Sequence, residues 1–306
     1  MSAPASLPLR ATRLTTAFSL SLVLIKVLTG FYTGSVAIFA SAVDSFFDFI
    51  VSTFNAVAVR SAEKPGDKSY NYGHGKMEGL AATFEGLLIL GTAVFIARQA
   101  LIRMWQPSPI SNASLNLAAG VMTLSLIASL GITIYLKRAT KLSPSLVLEA
   151  DALHYRTDVY SNAVILLGML AIRWTGWQMA DPLLALAVSI YIVKEALPLL
   201  RKGLDMLLDR SLSASLVESI QTLASTHSKL VNGVHELKTR RSGDTNFVEF
   251  HLVFDEHISL GQAHLVADEI EARIRDLEKA KWSINVHLDP EDDSVDDRQL
   301  AEPPRV

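Results

Sequence analysis

Cysteine is absent from the 306 residues. Disulfides and thiolate metal sites are therefore excluded, and any metal must be held by His, Asp and Glu. A strong excess of either charge is missing too. The 28 Lys and Arg against 31 Asp and Glu leave a net charge of −3, which argues for neither a nucleic acid nor an anionic membrane surface as partner. The first apolar run is as long as a membrane span, so it is read as a retained helix and not as a secretory signal. The His-Glu-x-x-His motif of zinc proteases is also absent.

What the chain has instead is apolar residues, 50% of the total, with a mean hydropathy of +0.29. The charges are segregated from them. Six apolar runs, at about 14–32, 36–59, 80–103, 115–136, 146–173 and 177–200, are each close to the roughly 20 residues that cross a bilayer core as a helix. The expected organisation is a cytoplasmic segment over 1–13 and a six-helix α-helical transmembrane bundle over 14–206. Arg10, Arg13, Arg60, Lys64, Lys68, Lys76, Lys137, Arg138, Lys141, Arg201 and Lys202 fall on one side of these spans. The Gly34-Ser35 turn and the loops near Pro107 and Gly176 are nearly free of basic residues, so the positive-inside rule predicts cytoplasmic termini.

From 207 to 290 the pattern becomes that of a small cytoplasmic α/β domain. It predicts a helix over 216–225, strands over 233–240 and 246–255 about the turn Ser242-Gly243-Asp244, a helix over 260–277 and a strand over 283–288. This is an αββαβ order of the ferredoxin/metallochaperone-like kind. The acidic, proline-containing tail over 291–306 is expected to be disordered.

Several ionisable side chains interrupt the apolar runs. Asp44 and Asp48 stand four apart in SAVDSFFDFIV, and His154 and Asp158 stand four apart in EADALHYRTDVYSN. Residues i and i+4 share one face of a helix, so each pair can reach a single point. A carboxylate in hydrocarbon costs several kcal/mol, at about 2.5–3.5 on insertion scales, and persists where it faces a cavity, a partner or an ion. Three carboxylates and one imidazole make a four-ligand set that suits Zn(II), and also Cd(II) or Fe(II). The plainer alternative, polar contacts between helices, explains one buried acid more easily than two such pairs. Lys26 reads as a snorkelling or interhelical lysine, and Glu85 as a carboxylate little more than a turn into the third span, within reach of the interface, with a role in ion or proton entry as the alternative.

Six of the eight histidines lie between His227 and His287. Strand alternation puts Val248, Phe250, Leu252 and Phe254 on one face and Glu249 and His251 on the other. The same rule makes His287 and Asp289 neighbours on a polar face. His235 lies on the preceding strand and His264 near the start of the following helix, so these groups can converge as a metal site. A contact between two copies of the chain without metal is the alternative. His227 and His257 have no comparable partner and read as solvated.

Taken together, the six runs, Asp44-x3-Asp48, His154-x3-Asp158, the loop Tyr72-Gly73-His74-Gly75-Lys76 and the ending His287-Leu288-Asp289-Pro290 resemble the cation diffusion facilitator family, in its bacterial YiiP-like zinc, iron and cadmium efflux branch. The resemblance spans about residues 10–290. It implies a homodimeric secondary transporter, not an enzyme, that exports divalent cations from the cytoplasm across the bacterial inner membrane in exchange for protons. Zinc is the first expected substrate, with Cd2+ and Fe2+ beside it. Carried over by position, the resemblance implies a transport site at Asp44, Asp48, His154 and Asp158, with His154, Asp48 and Asp158 carrying protons. It implies a binuclear cytoplasmic site at His235, His251, His264, His287 and Asp289, a dimer salt bridge between Lys76 and Asp209, and a hydrophobic gate at Leu153.

One position departs from the branch. Its loop site uses an Asp and two His, and this chain has Asp67 and His74 but Tyr70 where the first His would stand. A phenol with a pKa of about 10 is a poor ligand, so a loop site is expected to be weak or absent. The competing reading is a membrane-anchored metal sensor or assembly factor that works through its soluble domain. A transport-dead chain would be expected to lose part of the tetrad, and this one keeps all four residues. An intramembrane metalloprotease would need an open ligand position that the tetrad does not leave.

Overall fold

The computed structural model describes residues 6–33, 36–105, 112–143, 145–177 and 179–290. The Gly34-Ser35 turn, the loop around Pro107 and the tail from Glu291 lie outside the described residues. The chain divides near residue 204 into two compact units.

The first unit is built from six long helices, α1 (Leu7–Thr33), α2 (Val36–Ala62), α3 (Met77–Trp105), α4 (Asn112–Leu142), α5 (Leu146–Thr175) and α6 (Ala180–Leu207). They extend past the apolar runs because a helix continues through polar turns until something stops it. α1 begins at Leu7, not after residue 13, because Ser6 Oγ accepts the Leu9 amide at 3.2 Å and Pro8 is tolerated in a first turn. Arg10 and Arg13 are thus helical. α5 ends at Gly176, whose φ of 70° lets its amide cap the Ile172 carbonyl at 2.9 Å.

Polar side chains share the interior of this unit with its apolar clusters, and large apolar side chains cover its outside. Thr12, Thr15, Ser19, Ser52, Asn55, Glu85 and Asp151 are buried, while Leu24, Leu28, Val94, Phe95, Ile127 and Ile190 are exposed. Apolar side chains facing outward and hydrogen-bonded polar groups facing inward suit a lipid solvent. α3, α6 and the stretch Leu7–Thr29 are long and apolar enough to cross a membrane by length and composition alone. The first half of α5 carries Asp151, His154, Arg156 and Asp158.

α5 is the hub, packing against α1, α2, α3 and α4. α3 and α6 meet through small residues. A Cβ built on Gly203 would lie 2.4 Å from Thr83 Oγ1 and 2.9 Å from the Gly79 carbonyl oxygen, and one on Gly86 would lie 3.3 Å from Leu200. Close approach of this kind is how helices gain packing energy in lipid. Gly203→Val is expected to destabilise the helical unit by about 1–3 kcal/mol through overpacking, read as a lower apparent unfolding temperature of the helical signal in detergent.

The second unit contains α7 (Ala214–Thr226), β1 (Gly233–Ser242), β2 (Thr245–Val253), α8 (Leu260–Arg275) and β3 (Lys281–Asp289). Ser213 and Ser259 cap the two helices by accepting the amides of Leu216 and Gln262. The sheet order is β1-β2-β3, with β1 and β2 antiparallel and β2 and β3 parallel across the α8 crossover. Gly243, at φ 60°, turns the hairpin between Ser242 and Thr245. Val248, Phe250 and Leu252 join Ile220 and Ala224 of α7 and Ala263, Val266, Ala267, Ile270 and Ile274 of α8 in one core.

Strict alternation fails in β1. Val234 and Leu237 both pack on the core although they are three apart. The register slips between His235 and Lys238, and Glu236 takes a φ of 51°. This is a β-bulge with an extra residue in the left-handed conformation. It keeps His235 directly opposite His251 while both flanking apolar residues stay inside.

Candidate functional site

In the helical unit, α5 and α2 bring His154, Asp158 and Asp48 together. His154 Nε2 lies 3.2 Å from Asp48 Oδ1 and 3.9 Å from Asp158 Oδ2, and one ligand-type atom from each residue lies within 4.8 Å of the other two. Ligands at about 2.0–2.1 Å from a tetrahedral zinc stand roughly 3.3 Å apart, so the cluster needs only small side-chain adjustment to fit such an ion. The three side chains are 19–33% exposed. Asp44 stands one turn earlier on α2, and its side chain lies outside the described residues.

Lys26 of α1 donates to Ser45 Oγ of α2 at 2.7 Å, an interhelical contact. Leu153 is buried among Ala82, Ile89, Ile192, Ala196 and Leu199 of α3 and α6. A cavity of about 810 Å3 between α4, α5 and α6 is lined by Leu153, Arg156, Tyr160 and Glu195 among others, and by none of the three ligand candidates. Arg156 and Glu195 are hydrogen-bonded to each other at its wall.

In the second unit the strand register aligns three histidines across the sheet, His235 opposite His251 and His251 opposite His287. Their rings stand 4.9 and 4.6 Å apart. Asp289, 3% exposed, serves all three. Its Oδ2 lies 3.1 Å from His235 Nε2 and 2.9 Å from His251 Nδ1, and its Oδ1 lies 2.6 Å from His287 Nδ1. His235, His251 and Asp289 meet the same three-ligand criterion as the intramembrane cluster.

His264 is not with them. It sits on α8, 68% exposed and 3.6 Å from Asp268. α8 covers the apolar face of the sheet, and the histidine row occupies the other face. His227 and His257 also find carboxylates, Glu269 at 3.1 Å and Glu256 at 3.5 Å. Both stand apart from the row. Glu236, the bulge residue, forms an ion pair with Lys238 at 2.7 Å, and that ammonium holds its carboxyl below the usual range.

In the loop before α3, Asp67 Oδ1 accepts the amides of Tyr70 and Ser69, both at 2.8 Å. Those bonds hold its carboxyl below the usual range. One of its two oxygens is thus committed to the turn, and the Tyr70 ring packs 4.6 Å from His74. Because the folded value lies below the ordinary value of about 3.9, the turn is fully supported above the ordinary value and loses that support as pH falls through the lowered one. Hydrogen exchange at the Ser69 and Tyr70 amides is expected to accelerate in that acid window in the wild type. Asp67→Asn, which keeps the acceptor but cannot titrate, is expected to show no such step.

Lys76 precedes α3 in the first unit. Asp209 belongs to the second, in a left-handed turn at φ 56° after α6, with Oδ1 3.4 Å from Arg240 Nη1.

A helical unit with apolar outward faces and an inward Asp/His cluster, followed by a small sheet domain with a second His/Asp cluster, defines a membrane protein with two candidate metal centres. The profile described as "Cation efflux transmembrane domain" matches residues 13–208, and that described as "Cation efflux protein, cytoplasmic domain" matches residues 212–291. A cation-efflux pump FieF of Shewanella oneidensis is 36% identical over 281 residues, covering 92% of this chain and 93% of that protein. One of Salmonella arizonae is 37% identical over 283 residues, covering 92% of each. The chain belongs to the cation efflux family, the cation diffusion facilitators, a family of transporters and not of enzymes.

Two features leave little trace in the sequence. Asp151 and Asn55 pass for ordinary helix residues there, and Glu85, expected within reach of the interface, is fully buried. Asp151 stands one turn before His154 in the same polar stretch, which was the available signal.

Proposed function

We propose that the protein exports divalent metal cations, zinc first and Cd2+ and Fe2+ beside it, in exchange for protons. It works as a homodimer in the bacterial inner membrane with both termini in the cytoplasm. The observation that carries this reading is the convergence of Asp48, His154 and Asp158 from two helices of an otherwise apolar-faced bundle.

Asp44, one turn before Asp48, completes the tetrad. A divalent ion among three carboxylates leaves the site at net −1, whereas the empty site would stand at −3. Such crowding is relieved by protons. Metal and protons therefore compete for the same atoms. His154, whose imidazole type titrates nearest neutrality, carries a proton, and the clustered acids share further ones as a coupled set. When the site faces the cytoplasm, metal displaces protons. When it faces outward, protons displace metal, and alternation between the two turns a proton gradient into export.

The histidine row forms the cytoplasmic metal site, with Asp289 as a carboxylate shared between two ions. His264 joins this site only from a second copy of the chain, because α8 holds it on the far side of the sheet in its own. Leu153 serves as the hydrophobic gate, Lys76 and Asp209 tie the dimer, and transport does not depend on the Asp67/His74 loop.

The test is zinc titration of the full chain in weakly buffered detergent with a pH dye. Zinc binding is expected to release protons, and its apparent affinity to fall as pH is lowered. Binding without proton release would remove the exchange mechanism. Zinc binding confined to the histidine row, with Asp48→Ala binding as the wild type does, would favour the sensor reading.

A further inference from the structure

One turn before His154, a second group of polar side chains is sealed inside the helical unit. Glu85 of α3, Asp151 of α5 and Asn55 of α2 are each 0% exposed. Asn55 Nδ2 donates to Glu85 Oε2 at 2.9 Å and to Asp151 Oδ1 at 3.1 Å. Thr15 of α1 places its hydroxyl 2.9 Å from Asp151 Oδ2 and 2.9 Å from the Thr12 carbonyl oxygen.

The hydrogens do not suffice for two carboxylates. The amide of Asn55 has two, one for each acid. The Thr15 hydroxyl has one, for two acceptors. Glu85 Oε1 and Asn55 Oδ1, both fully buried, have no donor among the described residues. The titratable groups facing the pair are each other and His154, with Asp158 also facing Glu85 and Tyr155 facing Asp151. α1 and α2 present neutral Thr15 and Asn55.

Two unpaired negative charges in such a place would each cost several kcal/mol. A proton on Asp151 Oδ2 removes one charge. It lets the carboxyl donate to Thr15, and Thr15 to Thr12, so that both 2.9 Å contacts become hydrogen bonds. A proton on Glu85 serves the other acid, and Asn55 touches both.

We propose that Glu85 and Asp151, bridged by Asn55, form a second proton-binding site, distinct from the metal tetrad, that gives up its proton when a divalent cation occupies the tetrad one turn away. The coupling is electrostatic. A double positive charge about one turn, roughly 5 Å, along the axis favours the ionised pair in a medium that screens little. Metal departure reverses the preference, so the pair adds a proton to those the tetrad itself exchanges. The inference rests on the export reading and concerns its proton count.

The experiment counts protons released per zinc bound by the full chain in weakly buffered detergent, for the wild type and for Glu85→Gln, which keeps the volume and an acceptor for Asn55. The variant is expected to bind zinc and to release about one proton fewer per ion. An unchanged count with intact zinc binding would overturn this proposal alone, whereas absent proton release in the wild type would overturn the export reading first. Should Glu85→Gln fail to fold, Asp151→Asn gives the same comparison. Infrared difference spectra give a second reading. A protonated-carboxyl band present at neutral pH in the wild type, lost on zinc addition and missing from Glu85→Gln supports the pair, and the lack of any such band in the wild type at neutral pH overturns it.

Discussion

His154→Ala is expected to abolish metal transport while leaving the bundle folded. His154 Nε2 stands between the two carboxylates, 3.2 Å from Asp48 and 3.9 Å from Asp158, so the substitution removes the one neutral donor and leaves mutually repelling acids. Loss of groups that merely orient a ligand costs about 10–100-fold in metal affinity, and loss of the ligand itself exceeds that. The fold should survive. The neighbouring Tyr155 is buried and held by Ser19 Oγ at 2.8 Å, independently of the imidazole. Zinc affinity at the tetrad, measured by competition with a chelating dye, is expected to fall at least about a hundred-fold, with an unchanged elution volume and helix signal. A variant that transports zinc at the wild-type rate would remove His154 from the site.

Asp289→Ala is expected to eliminate zinc binding by the cytoplasmic unit. Among the described residues its carboxylate is the only group that touches all three histidines of the row, Oδ2 for His235 and His251 and Oδ1 for His287. Without it the row is three imidazoles with no charge to offset a divalent ion. The strand itself should remain, because the Asp289 carbonyl still accepts the Phe254 amide at 2.9 Å and β3 still pairs with β2. A ligand at a hundred times its dissociation constant stabilises by about 2.7 kcal/mol. In the wild type, zinc is therefore expected to slow hydrogen exchange across β1, β2 and β3, and in Asp289→Ala that slowing should vanish while zinc-free exchange stays similar. Persistent zinc protection in the variant would place the metal elsewhere.

The two clusters differ in how they could be read from the chain. Paired ligands four apart on apolar runs announce themselves, because hydrocarbon makes each charge costly and the helix repeat makes each pair convergent. The alignment of His251 with His287 follows from alternation plus a parallel register. The position of His235 does not, since it depends on the bulge at Glu236, and a left-handed Glu leaves no mark in a hydropathy pattern. His264 sits two residues from Val266, a core residue, yet the helix turns its side chain outward. Period-two reasoning on strands says nothing about which side of the sheet a crossover helix covers.

Helix ends were underestimated for a related reason. Apolar runs mark the stretch that lipid requires, whereas the ends of α1 and α5 are set by Ser6 and Gly176. Asp151 and Glu85 leave the weakest trace. Each alone resembles a charge that could reach an interface, and only the meeting of α1, α2, α3 and α5 shows that neither touches solvent. Gly203 is similar, since its role is the closeness of α3, which no local pattern records.

The most direct test of the central claim is uptake of Zn(II), Cd(II), Fe(II) and Mn(II) into proteoliposomes that carry a pH indicator inside, for the wild type and for Asp48→Ala. The account predicts metal flux opposed by proton flux, strongest for zinc, weak for manganese because the tetrad includes an imidazole, and lost in the variant. Flux without opposing protons, or equal flux in Asp48→Ala, would contradict it.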